Sequence, residues 1–280
     1  MTTTALVTGA SSGIGYHSAL RLHERGFKVY AAARRPMSDL EQRGISTVRL
    51  DVTVEDSMRQ AIDTVMAQES KIDILVNNAG YGSYGAIEEV PLSEARRQFD
   101  VNVFGAMRLI QLVLPHMMTQ DRGRIINVSS IGSGFSMALG GWYHATKYAI
   151  EALSDALRQE VRPFGIDVIL VQPGLIHTNW ESIAAQNLRS VSGLGKYSLI
   201  AKNFATALDA AGGGLASQPE VIADVIAHAC TTAHPKTRYR KGMGAFLTRG
   251  LPLLPDRLVD TATMYLLNNM ETIISRLTKR

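Results

Sequence analysis

Residues 5–15 read Ala5-Leu6-Val7-Thr8-Gly9-Ala10-Ser11-Ser12-Gly13-Ile14-Gly15. A short apolar run ends in a glycine turn, and the turn opens directly into a helical pattern whose apolar positions include Ile14, Ala19 and Leu22. Glycines at such a turn let backbone amides approach an anion, and the helix N-terminus adds roughly half a positive charge. The stretch predicts a dinucleotide held at its pyrophosphate by Gly9, Ser11, Ser12, Gly13, Ile14 and Gly15. A tight strand-to-helix turn without a ligand is the other reading of these glycines taken alone.

The pattern of strand followed by helix continues outward from there. Apolar runs predict strands near Ala5–Thr8, Lys28–Ala33, Thr47–Leu50, Ile74–Asn77, Arg124–Ser129 and Asp167–Gln172. Helical stretches fall near Gly13–Arg25, Glu55–Gln68, Ser93–Met118, Trp142–Val161 and Pro219–Cys230. Strands apolar on both faces and joined by helices imply a Rossmann-like, doubly wound parallel sheet flanked by helices on both faces, in a single α/β domain. Its cofactor-binding and catalytic core spans 1–178, a substrate lid 179–217, and a C-terminal substrate or oligomer region 218–280. Ser190–Gly195 and Gly212-Gly213-Gly214 read as loop or hinge material.

Composition agrees with a globular chain and excludes several classes. Of 280 residues, 46% are hydrophobic and 19% charged, enough to bury a core. The 29 basic and 25 acidic residues are interspersed, so nucleic acid is not expected as a partner. A single cysteine, Cys230, and scattered histidines provide no disulfide and no metal motif. The apolar runs are shorter than the about 20 residues of a spanning helix, and the opening residues lack a secretory pattern, so a cytoplasmic location is expected.

In a dinucleotide fold the second strand ends about 20 residues after the glycines, where an acid would hold the ribose 2′-hydroxyl of NAD. Here that place is Ala33, followed by Arg34 and Arg35, which suit a 2′-phosphate and offer no acceptor to a hydroxyl. NADP(H) is therefore the preferred cofactor, with NAD(H) kept open by Asp39 in the following loop. Asp51 and Val52 follow the third strand beside the adenine, and Asn78, Ala79 and Gly80 follow the fourth where the chain passes the cofactor.

The chemistry points to three residues. Ser130 follows the fifth strand, and thirteen residues later a helix opens with Tyr143-His144-Ala145-Thr146-Lys147. Tyr143 and Lys147 are one turn apart and share a face. An ammonium about 4 Å from a phenol supplies about 4 kcal/mol at an effective dielectric of 20, enough to bring tyrosinate toward neutrality. Tyr143 is thus expected as the general acid/base for a carbonyl/alcohol pair, with Ser130 orienting the oxygen.

These residues resemble the short-chain dehydrogenase/reductase family over roughly Thr4 to Thr178. Thr8, Gly9, Gly13 and Gly15 match its glycine pattern, Asn77-Asn78-Ala79-Gly80 its Asn-Asn-Ala-Gly motif, and Ser130, Tyr143 and Lys147 its active residues. The resemblance implies that Asn102 holds a water linking Lys147 to solvent, and that Lys147 also holds the nicotinamide ribose. It implies that Pro173, Gly174, Ile176 and Thr178 contact the nicotinamide carboxamide and phosphate. Arg34 is similar to the NADP-preferring members, although Ser12 stands where many of those carry a basic residue. The glycine spacing and length resemble the oxidoreductase branch rather than the branch of sugar-nucleotide epimerases.

The last third sets the substrate. From Asn179 to Ser217, residues such as Trp180, Ile183, Leu188, Tyr197 and Phe204 alternate with glycine breaks, as in a mobile lid over an apolar cleft or an ordinary packed helix and loop. The segment near His177 and that from Pro235 to Tyr239 resemble hydroxysteroid and retinol dehydrogenase-like members, and His177 itself reads as structural. The tail from Met243 is amphipathic, with apolar residues that include Leu247, Leu254 and Leu267. Family resemblance assigns a homodimer or homotetramer to the helices holding Asn102 and Tyr143. The expected function is an NADPH-dependent carbonyl reductase, reversible as an alcohol dehydrogenase, acting on a small lipophilic carbonyl or alcohol. An NAD-linked alcohol dehydrogenase and a non-catalytic NADP(H)-sensing protein are the alternatives.

Overall fold

Seven short strands pair side by side into one parallel sheet in the computed structural model, which describes residues 2–211, 216–246, 248 and 250–278. They are β1 (Thr4–Thr8), β2 (Lys28–Ala33), β3 (Ser46–Arg49), β4 (Ile74–Asn77), β5 (Gly123–Val128), β6 (Ile166–Pro173) and β7 (Arg238–Lys241). The order across the sheet is β3-β2-β1-β4-β5-β6-β7. The strand order, not the strand direction, reverses between β1 and β4, which opens a crevice at the carboxyl ends of those strands, where ligands of such sheets bind.

The helices are α1 (Gly13–Glu24), α2 (Ser38–Gln42), α3 (Glu55–Glu69), α4 (Leu92–Phe99), α5 (Ala106–Thr119), α6 (Gly141–Val161), α7 (Asn179–Ser192), α8 (Ser198–Ala210), α9 (Glu220–Thr231) and α10 (Asp256–Thr278). Successive strand residues serve opposite faces. Val7, Val76 and Ile126 pack with Leu22 of α1 and Ile226 of α9, whereas Leu6, Leu75 and Ile125 pack with Val65 of α3 and Val113 of α5. Both faces are dry, which is why these strands read as unbroken apolar runs.

A π turn, Asp100–Gly105, joins α4 to α5 and makes one continuous helix of 28 residues, Leu92–Thr119. Its mean hydropathy of 1.2 and its length suffice for a membrane span by composition. Here Leu109, Ile110, Val113 and Met117 are buried in the core, so their apolar character is used by the sheet. The π turn presses Gly105 against the loop after β3: a Cβ there would lie 2.4 Å from the Val52 carbonyl oxygen.

Three elements differ from the sequence reading. β7 is a polar edge strand, Arg-Tyr-Arg-Lys, with no apolar run to announce it. The five-residue α2 lies in what reads as loop. Ser190–Ser192 belongs to α7 rather than to a hinge, and α7 and α8 form a packed helical pair. Gly212-Gly213-Gly214 and Leu247 lie outside the described residues. In the tail, α10 docks on α8 by burying Leu267 and by an amide hydrogen bond from Asn203 to the Asn268 carbonyl, 3.1 Å.

Candidate active site

A single cleft of about 1030 Å³ runs along the carboxyl ends of the strands. At its floor, Gly9 and Gly13 adopt positive φ of 66° and 56°, which L side chains rarely take. A Cβ on Gly9 would come within 2.8 Å of the Ala79 Cα, so the turn and the fourth-strand motif fit only through glycine. Thr8 locks that junction: its hydroxyl accepts from the Asn78 and Ala79 amides, both 3.0 Å, and the Asn78 side chain donates back to the Thr8 carbonyl, 3.0 Å.

One end of the cleft is cationic. Arg34 and Arg35 line it, and the Arg35 guanidinium reaches back over the glycine turn to the hydroxyls of Ser11, 3.0 Å, and Ser12, 3.4 Å. Asp51 lies beside them and takes the Thr53 amide and hydroxyl. Burial opposes its ionisation, but those hydrogen bonds and the Arg34 and Arg97 charges outweigh it and hold the carboxyl below its usual range. Asp39, the acid that kept NAD open, does not line the cleft, and its carboxylate is occupied by Tyr16 and Arg43.

The other end holds Ser130, Tyr143 and Lys147. Ser130 sits just beyond β5 at the start of a short 3₁₀ turn, and its Oγ accepts from the Gly132 amide, 3.0 Å. Tyr143 and Lys147 come from the first two turns of α6, and the Lys147 ammonium lies 5.8 Å from the centre of the Tyr143 ring and donates to the Val128 carbonyl, 3.1 Å. The electrostatics correct the sequence estimate. Burial pushes the Tyr143 phenol up to about 12, with Ser130 opposing and Glu181 adding to the rise, and burial pulls Lys147 down to about 8 against the pull of Glu151. Desolvation outweighs the opposing effect of Ser130, so the phenol is held as an acid.

The structure gathers Ser11, Ser12, Ile14, Val52, Gly80, Pro173, Gly174, Ile176 and Thr178 along the same cleft. Gly15 and Asn102 are the exceptions. Gly15 packs behind the turn, where a Cβ would sit 2.5 Å from the Gly9 carbonyl oxygen, so only glycine allows that close approach of the backbone. Asn102 is buried in the π turn, bonded to both the amide and the carbonyl of Tyr81, 3.0 and 2.8 Å, and to the Thr146 hydroxyl, 3.1 Å. It braces the strand-four loop against α6 next to Lys147.

This cradle and its chemistry have counterparts among known proteins. The family model for short chain dehydrogenase matches residues 3–188. The chain belongs to the short-chain dehydrogenase family. The 3-ketodihydrosphingosine reductase of Bacteroides thetaiotaomicron is 41% identical over 175 residues, covering 62% of this chain and 64% of that one. The uncharacterized oxidoreductase YbbO of Escherichia coli is 35% identical over 266 residues, 93% of each chain. A short-chain dehydrogenase structure from Streptomyces avermitilis superposes with a TM-score of 0.78 at 30% identity over 99% of both chains. The 3-ketoacyl-(acyl-carrier-protein) reductase of Brucella melitensis, solved with NADH, gives 0.68 at 27% identity, covering 82% and 90%.

As a short-chain dehydrogenase the chain is an oxidoreductase, and its cleft holds residues that motif spacing does not reveal. Tyr84, Trp180 and Phe204 surround Tyr143, with Tyr84 ring centres 5.4 Å from Tyr143, 5.8 Å from Trp180 and 5.2 Å from Phe204. Glu181, on the first turn of α7, lines the same space although only 4% exposed. Arg97 adds a guanidinium near Asp51. These come from four separate segments; the lid reading names Trp180 and Phe204, whereas Tyr84, Arg97 and Glu181 belong to no motif of the sequence. His177 lines a second hollow with His17 and Glu220 rather than the cleft.

Proposed function

We propose that this short-chain dehydrogenase is an NADPH-dependent carbonyl reductase, reversible as an alcohol dehydrogenase, for a lipophilic ketone, aldehyde or secondary alcohol of steroid-, retinoid- or acyl-like character. The observation that carries the reading is one continuous cleft with Arg34 and Arg35 over the Ser11-Ser12 turn at one end and Ser130, Tyr143 and Lys147 at the other. A nicotinamide cofactor lying along it supplies hydride to the carbonyl carbon. Tyr143 gives the phenolic proton to the carbonyl oxygen. The Ser130 hydroxyl, which accepts from the Gly132 amide, would turn its own proton to that oxygen. Lys147 holds the ribose, with its ammonium fixed by the Val128 carbonyl.

NADPH over NADH rests on Arg35 as well as Arg34: a guanidinium bridged to two serine hydroxyls forms a donor cluster sized for a phosphate. The aromatic wall of Tyr84, Trp180 and Phe204 supports an apolar substrate, as does a relative named as a ketone reductase. In this reading α7 and α8 act as its lid, braced by α10 docked on α8, and the C-terminal region serves subunit contacts. Exposed Phe104, Tyr148 and Leu153 on the π turn and α6 support a homodimer or homotetramer. The buried, unpaired Cys230 is compatible with work in the cytoplasm.

The test is consumption of NADPH and of NADH, separately, against steroid, retinoid, aliphatic and aromatic carbonyl compounds. Turnover with NADPH on apolar ketones is expected. Equal use of NADH would remove the cofactor assignment, and NADPH binding without turnover on any compound would leave a sensor instead of an enzyme.

A further inference from the structure

Tyr143, Lys147 and Glu151 stand on successive turns of α6, and all three are buried. The reduction uses the first two. Glu151 does not line the cleft, and its carboxylate is held from three other segments. Its Oε1 accepts from the Gln172 amide of β6, 2.9 Å, and meets the Ser133 hydroxyl, 3.2 Å, on the turn that follows Ser130. Its Oε2 accepts from the Arg238 guanidinium of β7, 3.0 Å.

Stability does not account for a charge in this place. Taking two ions out of water costs about as much as their attraction gives back, and apolar residues of equal volume do as well or better. Arg238 is also paired with Asp155, 2.6 Å, which Arg158 shares at 2.8 Å. What a carboxylate there does is act on Lys147. The buried Lys147 ammonium donates to the Val128 carbonyl, 3.1 Å, a partner without charge. Glu151 is the acid acting on it, through space, against the burial that favours the neutral amine. The other titratable groups nearby are engaged elsewhere. His144 turns to the Gly132 carbonyl, Glu181 of α7 to Thr178, and Arg240 of β7 to Gln172, while Tyr143 faces Lys147 as a protonated phenol.

We propose that Glu151 is a positioning residue for the reduction: its carboxylate keeps the buried Lys147 ammonium charged, and Arg238 on the edge strand sets how strongly that carboxylate is felt. This rests on the reductase reading, in which a cationic Lys147 holds the ribose and favours the charge left on Tyr143 as its proton departs. An opposite charge favours the ammonium. Removing the acid therefore lets the proton leave at lower pH, and removing the competing cation holds it to higher pH.

The experiment measures kcat for ketone reduction at saturating NADPH from about pH 6 to about 10. Glu151→Gln, which keeps an oxygen for Gln172 and Ser133, should move the midpoint of the alkaline decline down by about one pH unit. Arg238→Met should move it up by about half a unit. A merely structural loss scales the profile down and leaves its midpoint in place. A wild type without alkaline decline, a midpoint unchanged in Glu151→Gln, or one that both variants move the same way overturns the proposal while leaving reduction in place. Unfolding temperatures check the variants. If Glu151→Gln alone does not fold, the double exchange with Arg238→Met removes both charges and must still bring the midpoint down. If no ketone is reduced, the reductase reading fails, and NMR of protein carrying carbon-13 at the lysine Cε, assigned with Lys147→Arg, decides the role of the acid separately. Opposite shifts of the Lys147 titration in the two variants support it, and a titration that stays in place removes it.

Discussion

The two ends of the cleft are built in different ways. The cofactor end is made of backbone: glycines at positive φ, a threonine hydroxyl tying β1 to β4, and strands buried on both faces. The substrate end is made of side chains from α7, α8 and the loop after β4, held by aromatic packing and single hydrogen bonds such as Asn187 to the Ser83 hydroxyl, 2.8 Å. A site fixed by backbone tolerates little change, whereas one assembled from side chains can be re-lined residue by residue.

The sharpest way to break that division is at Tyr143, where the two ends meet. Tyr143→Phe keeps the ring packing against Tyr84 and Trp180 but removes the proton, and turnover should fall by about a thousandfold while NADPH affinity holds. Stopped-flow absorbance and fluorescence titration measure the two. At the cofactor end, Arg35→Ala should raise KM for NADPH by about ten- to a hundredfold and leave that for NADH nearly unchanged, because the lost hydrogen bonds to a 2′-phosphate are charge-assisted. Steady-state kinetics with each nucleotide reads this directly. Equal loss with both would show Arg35 holding the turn and not the phosphate.

A pH profile sharpens the comparison from the other side. Burial disfavours the charged form of Lys147, so its ammonium is present below about 8 and lost above it. Reduction at fixed NADPH should hold through neutrality and decline by up to about tenfold as pH rises past that value, while Tyr143, held near 12, stays protonated throughout. A flat profile to pH 10 would mean that the Lys147 charge carries no weight. The smallest effect belongs to the substrate wall. Trp180→Ala should raise KM for a bulky apolar ketone about three- to tenfold relative to a small one, without moving KM for NADPH.

The same division decides how much could be read from the chain. Strands β1, β2 and β4 are legible because a strand covered on both faces is apolar along its middle, and Gly9 and Gly13 because their positive φ favours glycine. β7 is not, since the edge strand Arg238 to Lys241 buries none of its residues fully and carries no apolar run. Ser130, Tyr143 and Lys147 are legible as a spacing, but the state of the phenol is not: the sequence offers the neighbouring charge and hides the burial that overrides it. Trp180, Glu181 and Phe204 converge on Tyr143 only through the packing of α7 on α8, a tertiary fact without a local pattern.

The π turn between α4 and α5 acts as a gauge block. On one side Gly105 bears on Val52 beside Asp51, and on the other Asn102 is wedged between Tyr81 and Thr146, the neighbour of Lys147. One extra-wide helical turn thus spans the interval between the adenine-side loop and the proton-handling helix. Both contacts hang on that single spacer, so lengthening or tightening it would shift the Val52 loop and α6 relative to each other.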